Sequence, residues 1–254
     1  MLFSICIVHA SAHKAVGIAA HTQLFSEEQQ IVQITLYDTS AGSPNIGDQI
    51  IMQSVERELA LLFPYAFVSR VPTHDRIGKY GRRLLKGADL IVAGGTNLLF
   101  SHWRKYRQWR LTVSDLRAID RKLVLMGTGW TSYLSPPSFL ARQAYKAMLS
   151  PTLQHSVRDS YSKSHLATAG ITSVINTGCP TLWRLDNEAM SRIAMHKGER
   201  VITTLTDYRK DPGRDTQMLE ILKRNYGQVD LWMQGSRDLD YLNSLGVKDI
   251  KPIA

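Results

Sequence analysis

Short apolar segments alternate with amphipathic helical segments along most of this chain, and few folds accommodate that alternation. The segment 31–37 (IVQITLY) has the pattern of a β-strand, and the apolar runs 89–93 and 123–126 are typical of buried strands. Between the first two, Ile51 and Val55 begin an apolar series at helical spacing. Short strands separated by helices predict an α/β fold in which helices cover both faces of a Rossmann-like parallel sheet.

The pattern divides the chain into three parts. Residues 1–30 are predicted to be an N-terminal extension outside the fold, and residues 31–190 are predicted to form an N-terminal Rossmann-like lobe. After a polar junction, residues 200–254 are predicted to form a second Rossmann-like lobe with three strands and no helix covering the last strand. Because a parallel sheet of that size leaves apolar surface exposed, we expect this second lobe to be incomplete.

Composition restricts the class of protein and the charge of its partners. Hydrophobic residues make up 44% of the 254 residues and charged residues 21%, as expected for a protein with a packed core. Two cysteines are too few for a disulfide framework, and the histidines lack metal-binding spacing, so we expect no metal. The chain has neither a membrane-spanning apolar run nor a basic signal-peptide start, which predicts a cytoplasmic location. The net charge of +9 favours anionic partners.

The turn Asn45-Ile46-Gly47-Asp48 connects the first strand to the first helix. In parallel α/β sheets, ligands bind beyond the carboxyl ends of the strands, where helix N-termini present N–H groups to anions. Glycine at position 47 permits a ligand to approach the backbone closely. Asn45, Gly47 and Asp48 are therefore candidate substrate-binding residues. The alternative is a capped helix start without a ligand, because Asn and Asp are also preferred helix caps.

Two glycine-containing loops follow the next buried strands, Gly94-Gly95-Thr96 after 89–93 and Gly127-Thr128-Gly129 after 123–126. Together with the Asn45-Ile46-Gly47-Asp48 turn, these loops at the carboxyl ends of parallel strands are predicted to converge on one crevice. Neither loop completes a G-x-x-x-x-G-K-[ST] or G-x-G-x-x-G motif, which disfavours an NTPase or a simple NAD enzyme. The candidate binding residues in these loops are Gly94, Gly95, Thr96, Gly127 and Gly129.

Arg158 and Asp159 lie at a further junction between a strand and a helix. The guanidinium of Arg158 can present a two-pronged donor to a carboxylate or phosphate, and Asp159 can cap the helix that follows. Both are candidate binding residues. The alternative is an ordinary Arg–Asp pair on the surface.

Cations alternate with aromatic residues in the segment 102–110 (HWRKYRQWR). This pattern suits stacking on nucleic acid, an aromatic sugar site, or a partly exposed amphipathic helix with extended cations. No nucleic-acid-binding motif accompanies the segment, so we expect no nucleic acid partner. Among the histidines, His102 and His155 lie nearest the candidate loops. A serine hydrolase is disfavoured because the chain has no G-x-S-x-G motif.

Taken in order, these motifs resemble those of a known family. They are Asn45-x-Gly47-Asp48, the run from Ala88 to Gly95, Gly127-Thr128-Gly129, and Val157-Arg158-Asp159-x-x-Ser162 with Leu166 and Gly170. Together they resemble the polysaccharide pyruvyl transferases, from about Ile31 to the C-terminus. The resemblance implies a two-lobed fold like that of GT-B glycosyltransferases.

The resemblance also implies a function. Members of the family transfer the enolpyruvyl unit of phosphoenolpyruvate onto two hydroxyls of a sugar, which forms a pyruvate ketal on an exopolysaccharide or cell-wall glycan. The implied partners are an anionic donor and a saccharide acceptor, with no metal and no organic cofactor. An acceptor linked to a lipid implies peripheral association with a membrane. Open strand edges in the second lobe additionally predict a homo-oligomer.

Two departures from the family pattern concern activity. The usual Gly-Gly-Gly reads Gly94-Gly95-Thr96, and the family's Arg-x-His element is absent, since no histidine follows His196 and Arg237 has no histidine partner. The expectation is therefore either a C-terminally truncated enzyme or a variant that lost the chemistry. Two alternatives remain open. One is a GT-B-type glycosyltransferase that uses a nucleotide sugar, and the other is a non-catalytic remnant or partner-binding module.

Overall fold

The computed structural model describes residues 31–104, 108–131 and 135–253. These residues form two compact units. The first unit contains the described residues up to Gly42 together with Asp48–Ala189, and the second contains Ser43–Gly47 together with the residues from Met190 onward. The extension predicted for residues 1–30 lies outside the described residues.

The first unit alternates strands and helices. Its strands are β1 (Gln33–Asp38), β2 (Phe67–Pro72), β3 (Leu90–Gly94), β4 (Leu123–Met126), β5 (His155–Val157) and β6 (Val174–Asn176). The accompanying helices are α1 (Ile46–Leu62), α2 (Gly78–Gly87), α3 (Val113–Ile119), α4 (Phe139–Met148), α5 (Ser160–Thr168), a 3₁₀ turn (Pro180–Arg184) and α6 (Asn187–Ser191).

Strands β1 to β4 form a parallel sheet in the order β2-β1-β3-β4. Strands β5 and β6 form a parallel pair, and the N–H of Gly127 donates to the carbonyl of Ser156 at 3.0 Å, which connects the end of β4 to β5. These findings confirm the predicted α/β fold with parallel sheets. The chain moves outward from β1 to β2 and then returns to place β3 on the other side of β1. Ligands of such sheets bind at this reversal, beyond the carboxyl ends of β1 and β3.

Both faces of this sheet are buried, which explains why its strands read as continuous apolar runs. Ile91 and Ala93 of β3 belong to the cluster on one face, together with Leu85 of α2. Val92 belongs to the opposite cluster, where Val55 of α1 packs against it. Successive side chains of a strand point to opposite faces, so β3 contributes to both clusters.

The second unit is a smaller parallel sheet with two helices. Its elements are β7 (Arg200–Thr203), α7 (Pro212–Asn225), β8 (Gln228–Trp232), α8 (Asp238–Ser244) and β9 (Ile250–Ile253). The strand order is β7-β8-β9, and all pairs are parallel. Its core contains Leu219 of α7, Leu231 of β8 and Tyr241 of α8. Each helix therefore buries apolar side chains against this sheet.

Some element boundaries differ from those predicted. Helix α3 ends at Ile119, whereas the periodicity predicts helix to residue 122, because Asp120 and Arg121 adopt left-handed conformations (φ 48° and 60°) that a helix cannot continue through. The 3₁₀ turn Pro180–Arg184 and the short helix α6 lie where no helix was predicted. Neither carries an amphipathic pattern long enough to identify from sequence.

No helix in the described ranges is long and apolar enough to cross a membrane. Over the same ranges, the His, Cys, Asp and Glu side chains form no group of three or more that could hold a metal ion.

His155 is a fully buried titratable residue in β5. Its Nδ1 atom accepts the N–H of Leu125 at 3.3 Å, and its Nε2 atom lies 2.9 Å from the carbonyl oxygen of Ser150. The neutral ring with its proton on Nε2 satisfies both contacts. In the charged ring Nδ1 would also carry a proton, which would point at the N–H of Leu125. Burial lowers the pKa of His155 from 6.5 to about 4.

Acidification is therefore expected to destabilise the protein through His155. His155 binds a proton near pH 6.5 in the unfolded chain but only near pH 4 in the folded chain. The contribution of neutral His155 to the free energy of unfolding is therefore complete above pH 6.5 and is lost as pH falls towards 4. The full loss is about 3 kcal/mol. Urea unfolding at neutral pH and at about pH 4.5 measures it. His155→Gln retains a donor and an acceptor but does not titrate, so it should lose less; equal losses in both proteins contradict the assignment.

Candidate functional site

Asp48 and Thr96 connect the first turn of α1 to the loop after β3. Both residues are buried, and the hydroxyl of Thr96 donates to Oδ1 of Asp48 at 3.1 Å. The backbone of Thr96 is left-handed (φ 41°), which turns the loop towards the helix. The hydrogen bond lies at the carboxyl end of β3, beside the reversal point of the sheet. It uses the hydroxyl that Thr96 adds to the loop Gly94-Gly95-Thr96.

Three of the predicted glycines pack against apolar side chains. A Cβ atom added to Gly94 would lie 2.6 Å from Val55, and one added to Gly95 would lie 1.9 Å from Ile51. At Gly127 the added atom would lie 2.6 Å from Pro180 of the 3₁₀ turn. Close packing against α1 and this turn therefore explains why side chains are excluded at these positions. Their role in binding a ligand stays a prediction.

Gly129, by contrast, lies beside polar side chains from two other loops. A Cβ atom added there would lie 2.4 Å from Nε of Arg158 and 2.6 Å from Oδ1 of Asn97. Backbone hydrogen bonds hold the loops together, with the N–H of Gly129 donating to Thr96 at 2.7 Å and that of Arg158 donating to Thr128 at 3.2 Å. The loops after β3, β4 and β5 thus bring Asn97, Gly129 and Arg158 together. We call these three residues the amide–guanidinium cluster.

Asn97 was not identified from the sequence. Its Oδ1 atom is buried and has no hydrogen-bond partner among the described residues. Buried polar atoms without partners are rare in folded proteins, and such an atom is a natural contact for a ligand. The available signal was its position directly after Gly94-Gly95-Thr96, in a loop already predicted to bind.

Arg158 and Asp159 form an ion pair but differ in their other contacts. Oδ1 of Asp159 accepts the N–H of Ser162 at 2.6 Å, so Asp159 caps α5 as one interpretation of the sequence predicted. Its Oδ2 atom lies 3.5 Å from Nε of Arg158, and the two side chains are 41% and 32% exposed, respectively. A pair this exposed contributes little to stability. Arg158 is therefore accessible and positioned, while Asp159 is engaged with both its helix and Arg158.

The turn at Asn45 belongs to the second unit. Oδ1 of Asn45 accepts the N–H of Gly47 at 2.9 Å, which is the local cap that the alternative interpretation predicted. Asn45 also pairs with Gly235 in an antiparallel bridge, and the N–H of Ile46 donates to the carbonyl of Gln234 at 2.8 Å. Asn45 and Gly47 therefore group with the loop after β8, whereas Asp48 groups with the first unit.

A cavity of about 480 Å³ opens within the second unit. Its walls are Pro44–Asn45, Leu205–Tyr208 and Gln234–Asp238, so it lies beyond the carboxyl ends of β7 and β8. We call it the second-unit cavity. The sequence pattern predicted only Asn45 among its residues as a binding residue, and Arg237 entered only as an arginine without a histidine partner. The rule that parallel sheets bind ligands at the carboxyl ends of strands applied equally to these strands.

A second depression, in the first unit, is too small for a substrate. It lies between Leu59 of α1 and Val92 and Met126 of the sheet, and its volume is about 10 Å³. That is the space of roughly one water molecule.

Two aromatic residues of segment 102–110, Trp103 and Trp109, pack in or against the core. Trp109 is fully buried and packs edge-on against Tyr37 with ring centroids 5.0 Å apart, and Trp103 packs against Phe100 at 5.7 Å. Residues 105–107 lie outside the described residues. The described part of the segment is not helical, so the amphipathic-helix interpretation is wrong there. Because Trp109 is buried, it is not available for stacking on a base or sugar.

Comparison with known proteins bears on the family. A family model described as polysaccharide pyruvyl transferase matches residues 45–251, which is most of the chain. No curated protein and no solved structure gives a significant match. The family resemblance predicted from the motifs is thereby confirmed, and the matched stretch contains both the amide–guanidinium cluster and the second-unit cavity.

Proposed function

This chain belongs to the polysaccharide pyruvyl transferase family, and on that premise we propose that it transfers the pyruvyl group of phosphoenolpyruvate to two hydroxyls of a surface-glycan saccharide. The observation that carries the proposal is the amide–guanidinium cluster, where three loops place Asn97 and Arg158 beside Gly129. Such a cluster at the carboxyl edge of a parallel sheet suits a small anionic donor.

The proposed donor and the cluster are chemically complementary. Phosphoenolpyruvate carries a carboxylate and a phosphate. Each group presents two oxygen atoms that a guanidinium can bind through two parallel hydrogen bonds. The side-chain NH₂ group of Asn97 supplies a further donor for the anion. Glycine at position 129 allows both side chains to lie directly against the loop backbone. The net charge of +9 favours approach of the anion.

The reaction balances without an oxidant or reductant. The methylene carbon of phosphoenolpyruvate gains a proton and becomes a methyl group, and the bond between the central carbon and the phosphate oxygen breaks. Two sugar oxygens bond to that central carbon, which yields the ketal and inorganic phosphate. The two hydroxyl protons go to the methyl group and the phosphate. A general acid is required at the methylene carbon and a base at the hydroxyls; this proposal assigns no residue to either role.

The proposal includes a setting for the reaction. It takes place in the cytoplasm, needs no metal or organic cofactor, and uses an acceptor that is a nucleotide-linked or lipid-linked precursor of the glycan. A lipid-linked acceptor would bring the protein to the membrane surface, where its positive charge favours anionic lipids.

Titration calorimetry with phosphoenolpyruvate at millimolar concentration tests the donor assignment. We expect binding of phosphoenolpyruvate and none of a nucleoside-diphosphate sugar at the same concentration. Binding of only the nucleotide sugar would support a GT-B-type glycosyltransferase instead. With a saccharide acceptor added, ³¹P NMR should show inorganic phosphate forming while ¹H NMR shows a new methyl singlet. Donor binding without this conversion in any acceptor would indicate a non-catalytic binding protein.

Substitution of Gly129 by alanine is expected to weaken phosphoenolpyruvate binding about tenfold, the effect of displacing one charged hydrogen bond. The added methyl group would displace the flexible ends of Arg158 and Asn97, which lie 2.4 Å and 2.6 Å from its position. Since those ends move easily, the melting temperature should change little. Gly87→Ala is the matched control, because nothing lies within 4 Å of a Cβ atom there. Equal affinities for the two variants would contradict the assignment of the cluster.

A further inference from the structure

We propose that the second-unit cavity is a saccharide site and that Asp238 is the positioning residue that holds its loops in place. This inference rests on the proposed function, since a pyruvyl transferase requires a hydroxyl-bearing acceptor as well as an anionic donor. The volume of about 480 Å³ lies within the roughly 300–1,000 Å³ of small-molecule sites. All the residues that line the cavity belong to the second unit.

The lining of the cavity suits a sugar better than an anion. The hydroxyls of Thr206 and Ser236 and the amide of Asn45 both donate and accept hydrogen bonds, as sugar hydroxyls do. The carboxylate of Asp207 accepts from hydroxyls but repels a carboxylate or a phosphate. Phosphoenolpyruvate offers acceptors almost exclusively, so Asp207 opposes it and favours a polyhydroxyl ligand.

An aromatic surface is also present. Tyr208 lines the cavity and is 75% exposed, so its ring can cover the apolar face of a pyranose while its hydroxyl remains in water. Arg237 contributes one cation to a lining that also holds the carboxylates of Asp207 and Asp238, so the charged side chains do not favour an anion. A ligand without net charge, such as a sugar, is not repelled by the carboxylates of this lining.

Asp238 organises two of the three walls. It is 1% exposed, and its Oδ2 atom accepts the N–H groups of Gln234 at 2.8 Å and Gly235 at 2.7 Å. Its Oδ1 atom accepts the N–H of Asp207 at 3.3 Å. One carboxylate thus connects the loop after β8 to the loop after β7. Hydrogen bonds between backbone N–H groups and a buried carboxylate are strong, so these loops should be well fixed.

Gly235 connects the third wall to the other two. It pairs with Asn45, and a Cβ atom added to it would lie 3.0 Å from Oδ1 of Asp238 and 3.3 Å from Oδ1 of Asp207. The backbone of Gly235 therefore lies against both carboxylates, and a side chain there would crowd them. Asp238 thereby fixes the position of Asp207 at the cavity. Through Gly235 it also fixes the position of Asn45.

Saturation-transfer NMR on the full chain tests the ligand class. The probes are the methyl pyranosides of glucose, galactose and mannose, with phosphoenolpyruvate as the anionic comparison. We expect saturation transfer to at least one pyranoside, and about tenfold weaker binding of that sugar in Asp207→Asn and in Tyr208→Ala. Both side chains are at least partly exposed, so these variants should fold. Sugar binding that neither substitution changes would overturn the assignment of the cavity.

The role of Asp238 is tested against its neighbour on the same helix. Asp238→Asn should weaken sugar binding at least about tenfold and accelerate hydrogen exchange at the amides of Gln234 and Gly235, while Leu231 in β8 stays protected. Asp240→Asn makes the same change at an exposed position of α8 and should have neither effect. Accelerated exchange at Leu231 as well would mean that Asp238 maintains the whole sheet rather than positioning the loops.

The donor measurement separates this inference from the proposed function. Sugar binding that depends on Asp207, without any binding of phosphoenolpyruvate, would retain the saccharide site and reject the donor. Binding of phosphoenolpyruvate without any pyranoside would reject the saccharide site and retain the donor. Weaker binding of phosphoenolpyruvate in Tyr208→Ala, with no sugar signal, would show that the cavity binds the anion and would overturn the inference.

Discussion

Replacing Arg158 by alanine will weaken the binding of phosphoenolpyruvate at least about 100-fold and leave the free energy of unfolding within about 1 kcal/mol of its original value. The two expectations follow from the same geometry. The side chain is 32% exposed and its ion pair with Asp159 spans 3.5 Å, so its removal costs the fold little. A guanidinium that holds an anionic ligand through two charged hydrogen bonds contributes far more, at roughly 1.5–3 kcal/mol for each bond.

Lysine at position 158 distinguishes charge from geometry. It retains the positive charge but not the planar pair of donors, so the loss of affinity should be intermediate, at about tenfold. Arg82→Lys is the matched control. Arg82 is 34% exposed and lies 3.2 Å from a carboxylate of Asp115, but it belongs to α2 and not to the candidate loops. Its substitution should leave donor affinity unchanged.

Calorimetric titration of the four proteins with phosphoenolpyruvate, together with urea unfolding, measures both quantities. If Arg158→Ala binds the donor as tightly as the original protein, the amide–guanidinium cluster is not the donor site. If Arg82→Lys loses as much affinity for phosphoenolpyruvate as Arg158→Lys, the loss does not depend on the position of the arginine, and the cluster is not the donor site.

The second large effect concerns stability. Gly95→Ala is expected to lower the free energy of unfolding by about 2–5 kcal/mol, the sum of a left-handed backbone penalty and overpacking. Gly95 has φ +58°, and the added methyl group would lie 1.9 Å from Cγ2 of Ile51. Gly42 is the matched control, since its φ is +75° and nothing lies within 4 Å of a Cβ atom there. Gly42→Ala should therefore lose only about 1–2 kcal/mol.

A double substitution isolates the steric part of this effect. Combining Gly95→Ala with Ile51→Ala removes the atom that the methyl group meets, so the two losses should be less than additive. Urea unfolding of the single and double variants measures the coupling. Additive losses, or a Gly95→Ala protein as stable as Gly42→Ala, would mean that packing on α1 does not explain this glycine.

The extent to which the site was predictable can be judged from its loops. The strand Leu123–Met126 was predicted with its observed bounds, because four buried apolar residues lie between a lysine and a glycine. The predicted crevice combined the Asn45-Ile46-Gly47-Asp48 turn with the loops after β3, β4 and β5. The structure brings the last three loops together, whereas Asn45 and Gly47 belong to the second unit. Asn97 was missed, because an asparagine after two glycines and a threonine is also an ordinary turn residue. Its significance depends on the burial of Oδ1, which no local pattern encodes.

The glycines show where local patterns are insufficient. Gly94, Gly95, Gly127 and Gly129 read alike in the sequence, and all were predicted to face a ligand. The structure separates them, since the first three meet Val55, Ile51 and Pro180, while Gly129 meets Arg158 and Asn97. The neighbours of each glycine come from segments distant in the chain, so their identity depends on packing and not on spacing.

Periodicity and motif order in the sequence by themselves determined the α/β class, the order of strands and helices, and the family. These features follow from local propensity, from burial of alternate faces and from residues that lie close together in the chain. Only the tertiary structure decided which loop residues meet, that Asn45 groups with the loop after β8, and that Asp238 holds the walls of a cavity. Those relations join residues far apart in sequence, and each depends on where the packed sheets bring the carboxyl ends of their strands.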